Sequence, residues 1–256
     1  MAEEYDSYLE HFLKMNSPTR AAFEDAWLFY SAFYKEFLPR DKDAAILDVG
    51  CGMGHFLYFL QKEGYTNYCG IDVSTSQVEF VRKNISRRVQ LVDAFDYLSR
   101  NDLFGAIVAN DVLEHIPKTK TLKFLSLIHN SLVTNGLLFV RTPNMSNPFS
   151  LSTRYMDFTH EVGFSRLSLE YVLSISGFDT IEIVGAPYSV GRKSLKARLG
   201  EQIARGTIDL MSKALGYGAE PFLEVNLIAI CKKATNKPPF AEHCDFNMMI
   251  DNEACR

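Results

Sequence analysis

The chain has 256 residues, 47% of them hydrophobic, and 27 Lys and Arg against 31 Asp and Glu for a net charge of -4. That composition supports one substantial core in a single decorated domain, and the acidic balance disfavours nucleic acid as a partner, because phosphate binding relies on a broad basic face. The acidic start leads into no continuous apolar stretch, so no secretory signal and no membrane span are expected and cytoplasmic residence is the default; the five cysteines, an odd number without metal-type spacing, read as free thiols.

Over 5–38, aromatic residues recur at helical separations with Ser17-Pro18 as a break and restart, which predicts an N-terminal helical cap occupying 1–43. Ala44-Ala45-Ile46-Leu47-Asp48-Val49 is a short apolar run leading directly into glycines, as a buried parallel strand does. A helix over 55–63 stopped by Gly64, a strand over 68–73, a helix over 74–84 capped by Ser74 and a strand over 89–92 follow. Next come a strand over 106–109, a helix over 119–132 and a strand over 136–140 after the Asn135-Gly136 turn. This alternation predicts an α/β, Rossmann-like fold with a doubly wound, mostly parallel sheet.

A polar loop runs to about 164, followed by a helix over 168–176 ended by Gly177, a strand over 180–184 and a last strand over 223–230, which makes seven strands in a domain spanning 44–233. Before that last strand, 189–218 inserts a helix whose Leu195, Leu199, Ile203, Leu210, Met211 and Ala214 recur at a spacing that gives one buried face. Its expected use is as a lid or as an oligomer contact, such as that of a homodimer. The tail, 234–256, contains Pro238-Pro239 and little periodicity, and is expected to wrap the surface or stay partly mobile.

Asp48-Val49-Gly50-Cys51-Gly52-Met53-Gly54 sits where a strand turns into a helix, the place at which open α/β sheets bind ligands. Glycines belong there because a Cβ blocks close approach of a ligand to the backbone. The nicotinamide fingerprint Gly-x-Gly-x-x-Gly is not met, since His55 stands at its last position. Asp72, followed by Val73, ends the second strand where a carboxylate accepts both ribose hydroxyls, which suits a dinucleotide or S-adenosylmethionine (SAM) equally. Asp93, followed by Ala94 and Phe95, offers a second carboxylate to an adenine amino group, with Phe95 or a neighbour covering the ring. Two acidic strand ends around a glycine loop fit a cationic sulfonium cofactor without phosphates.

Asp111, Glu114 and His115 follow the fourth strand at relative spacing 0, 3 and 4, which brings them to one face if the segment begins a helix. Two carboxylates and an imidazole can ligate a divalent metal, or form a base with its orienting partner. A second cluster, Arg154 to Glu161, lies in the polar loop after the fifth strand, and its His160 is placed to meet His115 across a methyl donor, as a further ligand or as general base.

Taken in order, Ile46 to Gly54, Gly70-Ile71-Asp72, Asp93-Ala94 and Asn110-Asp111-Val112-Leu113-Glu114-His115-Ile116-Pro117 resemble successive motifs of class I SAM-dependent methyltransferases. That resemblance implies that Asp48 and the backbone of Gly50, Cys51, Gly52 and Gly54 hold the methionine part, that Asp72 holds the ribose and Asp93 the adenine, with Asn110 near the methionine end. With Thr142-Pro143-Asn144, the chain also resembles two metal-using branches, the ubiquinone-pathway O-methyltransferases and the small-RNA ribose methyltransferases, although Asp111 stands where those carry Glu. The Thr159-His160 loop with Phe164-Ser165 and Ser168-Leu169 is similar to methyltransferases of bacterial surface-glycan and capsule pathways.

These readings lead to an expected O-methylation of a carbohydrate or nucleotide-linked small polar acceptor in surface-polysaccharide biosynthesis. His115 or His160 serves as base with Glu114, and a divalent Mg, Mn or Zn ion is a candidate at Asp111, Glu114, His115 and His160. The alternatives are methylation of an amine or phosphoramidate group, RNA ribose methylation, and a non-catalytic SAM-binding protein that acts through partners. A basic run, Arg192, Lys193, Lys196 and Arg198, either grips a substrate phosphate or forms a solvated helix face.

Overall fold

The computed structural model describes residues 18–100, 102–187, 190, 195–216 and 223–234. The expectations for the cap before residue 18, for Arg192 and Lys193, and for the tail beyond Ala234 lie outside these residues.

Helix α1, Arg20–Phe33, begins at Thr19, whose hydroxyl accepts the Ala22 N–H at 3.2 Å, and it buries Phe23, Phe29 and Tyr30. It stops sooner than the aromatic spacing predicts, because the chain continues in turns to Leu38, whose N–H bonds Tyr34 O. The strands are β1 Ile46–Val49, β2 Tyr68–Asp72, β3 Val89–Leu91, β4 Phe104–Asn110, β5 Leu132–Pro143, β6 Phe178–Ala186 and β7 Asn226–Lys233. Between them run α2 His55–Lys62, α3 Thr75–Asn84, α4 Ala94–Leu98, α5 Thr121–Asn130, α6 Ser150–Met156, α7 Arg166–Ile175 and α8 Leu195–Ala214. Helix starts follow local chemistry. Ser74 accepts the Gln77 N–H for α3, Asp93 accepts the Phe95 N–H for α4, and Ser165 forms a reciprocal capping box with Ser168 for α7.

The seven strands pair in the order β3-β2-β1-β4-β5-β7-β6. The pairs from β3 to β5 are parallel, and β7 lies antiparallel between β5 and β6. Alternation along the strands divides the core. Ile46, Val108, Phe139 and Ile230 face α1 to α3, meeting Tyr34, Phe56, Phe59 and Val81. Leu47, Ile107, Leu138 and Ala229 face the other layer, meeting Phe124, Ile128, Leu169 and Leu173. Strand order reverses between β1 and β4, so a ligand crevice opens at their carboxyl ends.

Three expectations change. The polar loop before 164 contains α6, the 111–117 segment is a 3-10 turn at Leu113–His115, and α8 is turned inside out. Leu199, Ile203, Leu210, Met211 and Ala214 of α8 are exposed, while Glu201, Arg205, Ile208, Asp209 and Ser212 are half-buried. The predicted buried apolar face is therefore the outer one. The half-buried side carries Arg205, whose guanidinium bonds Glu224 at 2.5 Å, just before β7.

Candidate functional site

The glycine loop follows from β1 and is cramped by its neighbours. Gly50, Gly52 and Gly54 all have positive φ, at 64°, 53° and 78°, a region that L side chains rarely adopt. A Cβ on Gly50 would lie 2.5 Å from a Val112 methyl group, so this position excludes a side chain twice over. Cys51 N–H bonds Ile71 O at 3.0 Å, Gly52 N–H bonds Asp72 Oδ2 at 2.8 Å, and Ser74 N–H bonds Asp72 Oδ1 at 2.9 Å. Asp72 thus ties the loop to the start of α3 while standing at the end of β2. Val73 beyond it is exposed, and Cys51 is buried with its thiol pKa pushed up by that burial, so no thiolate forms there.

Asp48 is buried in β1, and one of its carboxyl oxygens has no hydrogen-bond partner among the described residues. Burial, reinforced by the charge of Asp72, holds its pKa well above the ordinary carboxylate range. At the end of β4, Asn110 Oδ1 accepts a 2.5 Å hydrogen bond from Tyr34 Oη, while its buried amide nitrogen has no partner among the described residues. Asp93 is exposed at the start of α4, ahead of Ala94 and Phe95, with its Oδ1 accepting the Phe95 N–H at 2.7 Å. Unsatisfied buried polar atoms are costly, and here an acceptor and a donor face the same sheet edge. They fit an amino acid moiety, which brings an ammonium to Asp48 and a carboxylate to Asn110. The residues present therefore fit SAM.

A second cluster is built from the 3-10 turn and the loop before α7. Asp111 has a φ of 54°, and its carboxylate is taken by Arg141 of β5, with Nε to Oδ1 at 3.0 Å and Nη2 to Oδ2 closer still. The tight turn and this ion pair remove Asp111 from the face it was expected to share. Glu114 and His115 do meet His160: one ligand atom from each lies within 4.8 Å of the others. Glu114 is buried with both carboxyl oxygens unpartnered among the described residues, and burial, followed by the charge of Asp111, raises its pKa well above the usual value. Its carbonyl accepts the N–H groups of Glu161 and Val162 at 2.8 and 3.0 Å, which fastens the turn to the loop.

Asp157 and Thr159 set the state of His115. Thr159 Oγ1 donates to Asp157 Oδ1 at 2.6 Å, and it lies 2.9 Å from His115 Nδ1. The hydroxyl has one proton and gives it to the carboxylate, so Nδ1 is the nitrogen that bears the proton in the neutral ring. Burial lowers the His115 pKa, partly opposed by Asp157, which favours this neutral form. His160 packs edge-on against His115 with ring centroids 4.8 Å apart, its Nε2 is 3.8 Å from Asp157 Oδ2, and Arg154 bonds its carbonyl at 2.5 Å. A carboxylate with two imidazoles is a donor set suited to zinc or a similar divalent ion. Thr159 would be the partner that orients one of them.

Four participants carry no role in the sequence reading: Tyr34, Arg141, Asp157 and Thr159. Arg141 had a visible signal, because an arginine at the end of Leu137-Leu138-Phe139-Val140 in a buried strand needs an anionic partner. Tyr34 had only its place in an aromatic series.

A doubly wound sheet, a left-handed glycine loop, acidic β1 and β2 ends and a buried Asp48 oxygen without a partner among the described residues define a nucleoside-cofactor enzyme of the class I methyltransferase type. Residues 22–183 match the methyltransferase domain family, and the chain belongs to that family; by fold and family it is a SAM-dependent methyltransferase. The tRNA U34 carboxymethyltransferase of Pasteurella multocida strain Pm70 is 35% identical over 107 residues, which cover 40% of this chain and 33% of that protein. The chain thus spans about a third of the length of that curated relative. Among solved structures, a SAM-dependent methyltransferase from Archaeoglobus fulgidus superposes with a TM-score of 0.65 at 20% identity, covering 88% of this chain and 100% of that one. The plantazolicin methyltransferase BpumL, solved with S-adenosylhomocysteine, superposes at 0.56 with 16% identity, covering 89% of each chain. Both likenesses are likenesses of fold.

Proposed function

We propose that this protein methylates a hydroxyl group of a small polar acceptor, a carbohydrate or nucleotide-linked compound, with SAM as donor. The observation that carries this reading is His115, whose Nδ1 is engaged by the Asp157 to Thr159 to His115 chain beside Glu114 and His160. When bound, SAM supplies an electrophilic methyl group on a sulfonium, which leaves the chain to orient the acceptor, exclude water and take up a proton. His115 Nε2 accepts the hydroxyl proton, and Asp157, acting through Thr159, stabilises the resulting imidazolium. Glu114, kept protonated by burial, donates a hydrogen bond to the acceptor rather than competing as base. In an alternative, metal-assisted form, a deprotonated Glu114 with His115 and His160 would hold a Mg, Mn or Zn ion supplying Lewis acidity at the acceptor oxygen, and His115 would then be a ligand instead of the base.

The surface-polysaccharide or capsule setting, in the cytoplasm, belongs to this reading and is supported by the Thr159-His160 loop with Phe164-Ser165 and by the net charge of -4. A second reading, methylation of RNA, is favoured by the tRNA-modifying name of the curated relative. The test is turnover of labelled SAM with nucleotide sugars and with tRNA transcripts, with and without a chelator. Turnover of a sugar hydroxyl that falls in both His115→Ala and His160→Ala supports the first reading, and full turnover in both variants rejects it. Methyl incorporation confined to tRNA selects the second, and loss of turnover on chelation identifies the metal-assisted form.

A further inference from the structure

Arg141 carries a charge that the methyl-transfer reading does not use. It follows Phe139 by two positions and so shares its face of β5, the one that packs on α1. Its guanidinium carbon lies 5.3 Å from the centroid of the Phe29 ring, and the phenols of Tyr30 and Tyr34 stand near enough to reinforce its charge. A cation shielded this far is costly unless an anion answers it. Burial raises the pKa values of Asp48 and Glu114 well above the carboxylate range, so among the described residues the answering charge is Asp111, bonded through Nε and Nη2.

The pair is lopsided. The Arg141 side chain is 22% exposed and that of Asp111 42%, so the guanidinium is the enclosed member and the carboxylate the one on the solvent side. The join between strand and turn does not depend on the ion pair, because the Asp111 N–H also bonds Arg141 O at 2.8 Å. The carboxylate can therefore leave without dismantling the turn. Position matters as well: Asp111 lies between Asn110, assigned above to the cofactor, and the turn Leu113–His115 that carries Glu114 and His115. A guanidinium there presents paired N–H groups whose spacing matches a carboxylate or a phosphate.

We propose that Arg141 recognises an anionic group of the acceptor, a phosphate or a carboxylate, and that Asp111 occupies the guanidinium until the acceptor arrives. The inference rests on the methyl-transfer reading and narrows its acceptor class to anionic compounds, nucleotide-linked sugars over neutral ones. Exchanging one anion for another keeps the arginine compensated, whereas a neutral acceptor leaves Asp111 in place and gains no such contact.

Calorimetric titration of the S-adenosylhomocysteine-bound protein with inorganic pyrophosphate, in chelator-treated buffer, tests this. Arg141→Gln should weaken binding at least about tenfold. Asp111→Asn should strengthen it about tenfold by removing the competing carboxylate, and asparagine tolerates the left-handed φ of 54° at that position. The gain should vanish in the double variant Asp111→Asn with Arg141→Gln, which leaves no unpaired charge and so guards against a single variant that fails to fold. No binding to the unsubstituted protein or to Asp111→Asn overturns the proposal, as does weakening in both single variants or a gain that survives in the double variant. Titration with S-adenosylhomocysteine itself separates the other source of a carboxylate: a tenfold loss of its affinity in Arg141→Gln assigns the arginine to the cofactor and also overturns the proposal. Pyrophosphate binding involves no methyl transfer, so failure of the methyl-transfer reading shows differently, as intact anion binding without turnover of any hydroxyl acceptor. Turnover of neutral sugars equal to that of nucleotide sugars overturns the proposal alone.

Discussion

The proposed cofactor half and the proposed acceptor half of the site are held by different means. Around the glycine loop the bonds are between backbone groups and buried strand residues: Cys51 N–H to Ile71 O, and Gly52 and Ser74 N–H to Asp72. Around His115 they run through side chains on loops, Asp157 to Thr159 to His115, with Arg154 bracing the carbonyls of His160 and Glu161. Interlocked backbone tolerates little change, whereas a side-chain relay on loops can be rebuilt without disturbing the sheet. Chemistry on the acceptor side should therefore be separable from cofactor affinity.

The sharpest test of that separation is His115→Ala, which should lower turnover by about 10²–10⁴-fold while leaving S-adenosylhomocysteine affinity within about twofold. Steady-state rates with calorimetric titration read both quantities, and a matching fall in affinity would show that the halves are coupled. Asp72→Ala approaches the comparison from the other side. It removes two charge-assisted bonds that organise the loop, and S-adenosylhomocysteine should bind at least about a hundredfold more weakly in the same titration.

His55, the first residue of α2, tests the loop through stability. It stacks on Phe23 with centroids 4.4 Å apart, and burial lowers its pKa from 6.5 to about 4. Between those values the unfolded chain takes up a proton that the folded chain refuses. Stability from neutral His55 is thus fully present above pH 6.5 and lost as pH falls towards 4. Urea unfolding at pH 7 and pH 4.5 should show a fall in stability about 2–3 kcal/mol smaller in His55→Leu than in the unsubstituted protein. An equal fall in both would place the acid sensitivity elsewhere. The smallest effect is expected for Tyr34→Phe, which leaves Asn110 Oδ1 without its donor and should weaken S-adenosylhomocysteine binding by about 1 kcal/mol, or fivefold. An affinity unchanged by this substitution would remove α1 and its following turn from the cofactor half.

The legible part of the site was its sequential part. Asp48, the glycines, Asp72 and Asp93 stand at fixed offsets from strand ends, and strands announce themselves by short apolar runs. The convergence of Glu114, His115 and His160 rests instead on a long-range contact, the Glu114 carbonyl meeting the N–H groups of Glu161 and Val162. Asp111 illustrates the converse: a helical spacing suggested a shared face, but a left-handed φ and Arg141 turned it away.

Sequence by itself determined the alternation of strands and helices, the seven-stranded α/β class, the place of the glycine loop and the acidic strand ends, because burial periodicity and turn chemistry act over a few neighbouring residues. Tertiary structure alone decided which side chains meet and which faces remain exposed. In α8 the periodicity was read correctly and its direction was not, since an apolar stripe reports only that a helix has two sides. The side that faces the protein carries Arg205 bonded to Glu224, a pairing between residues 19 positions apart that no local pattern encodes.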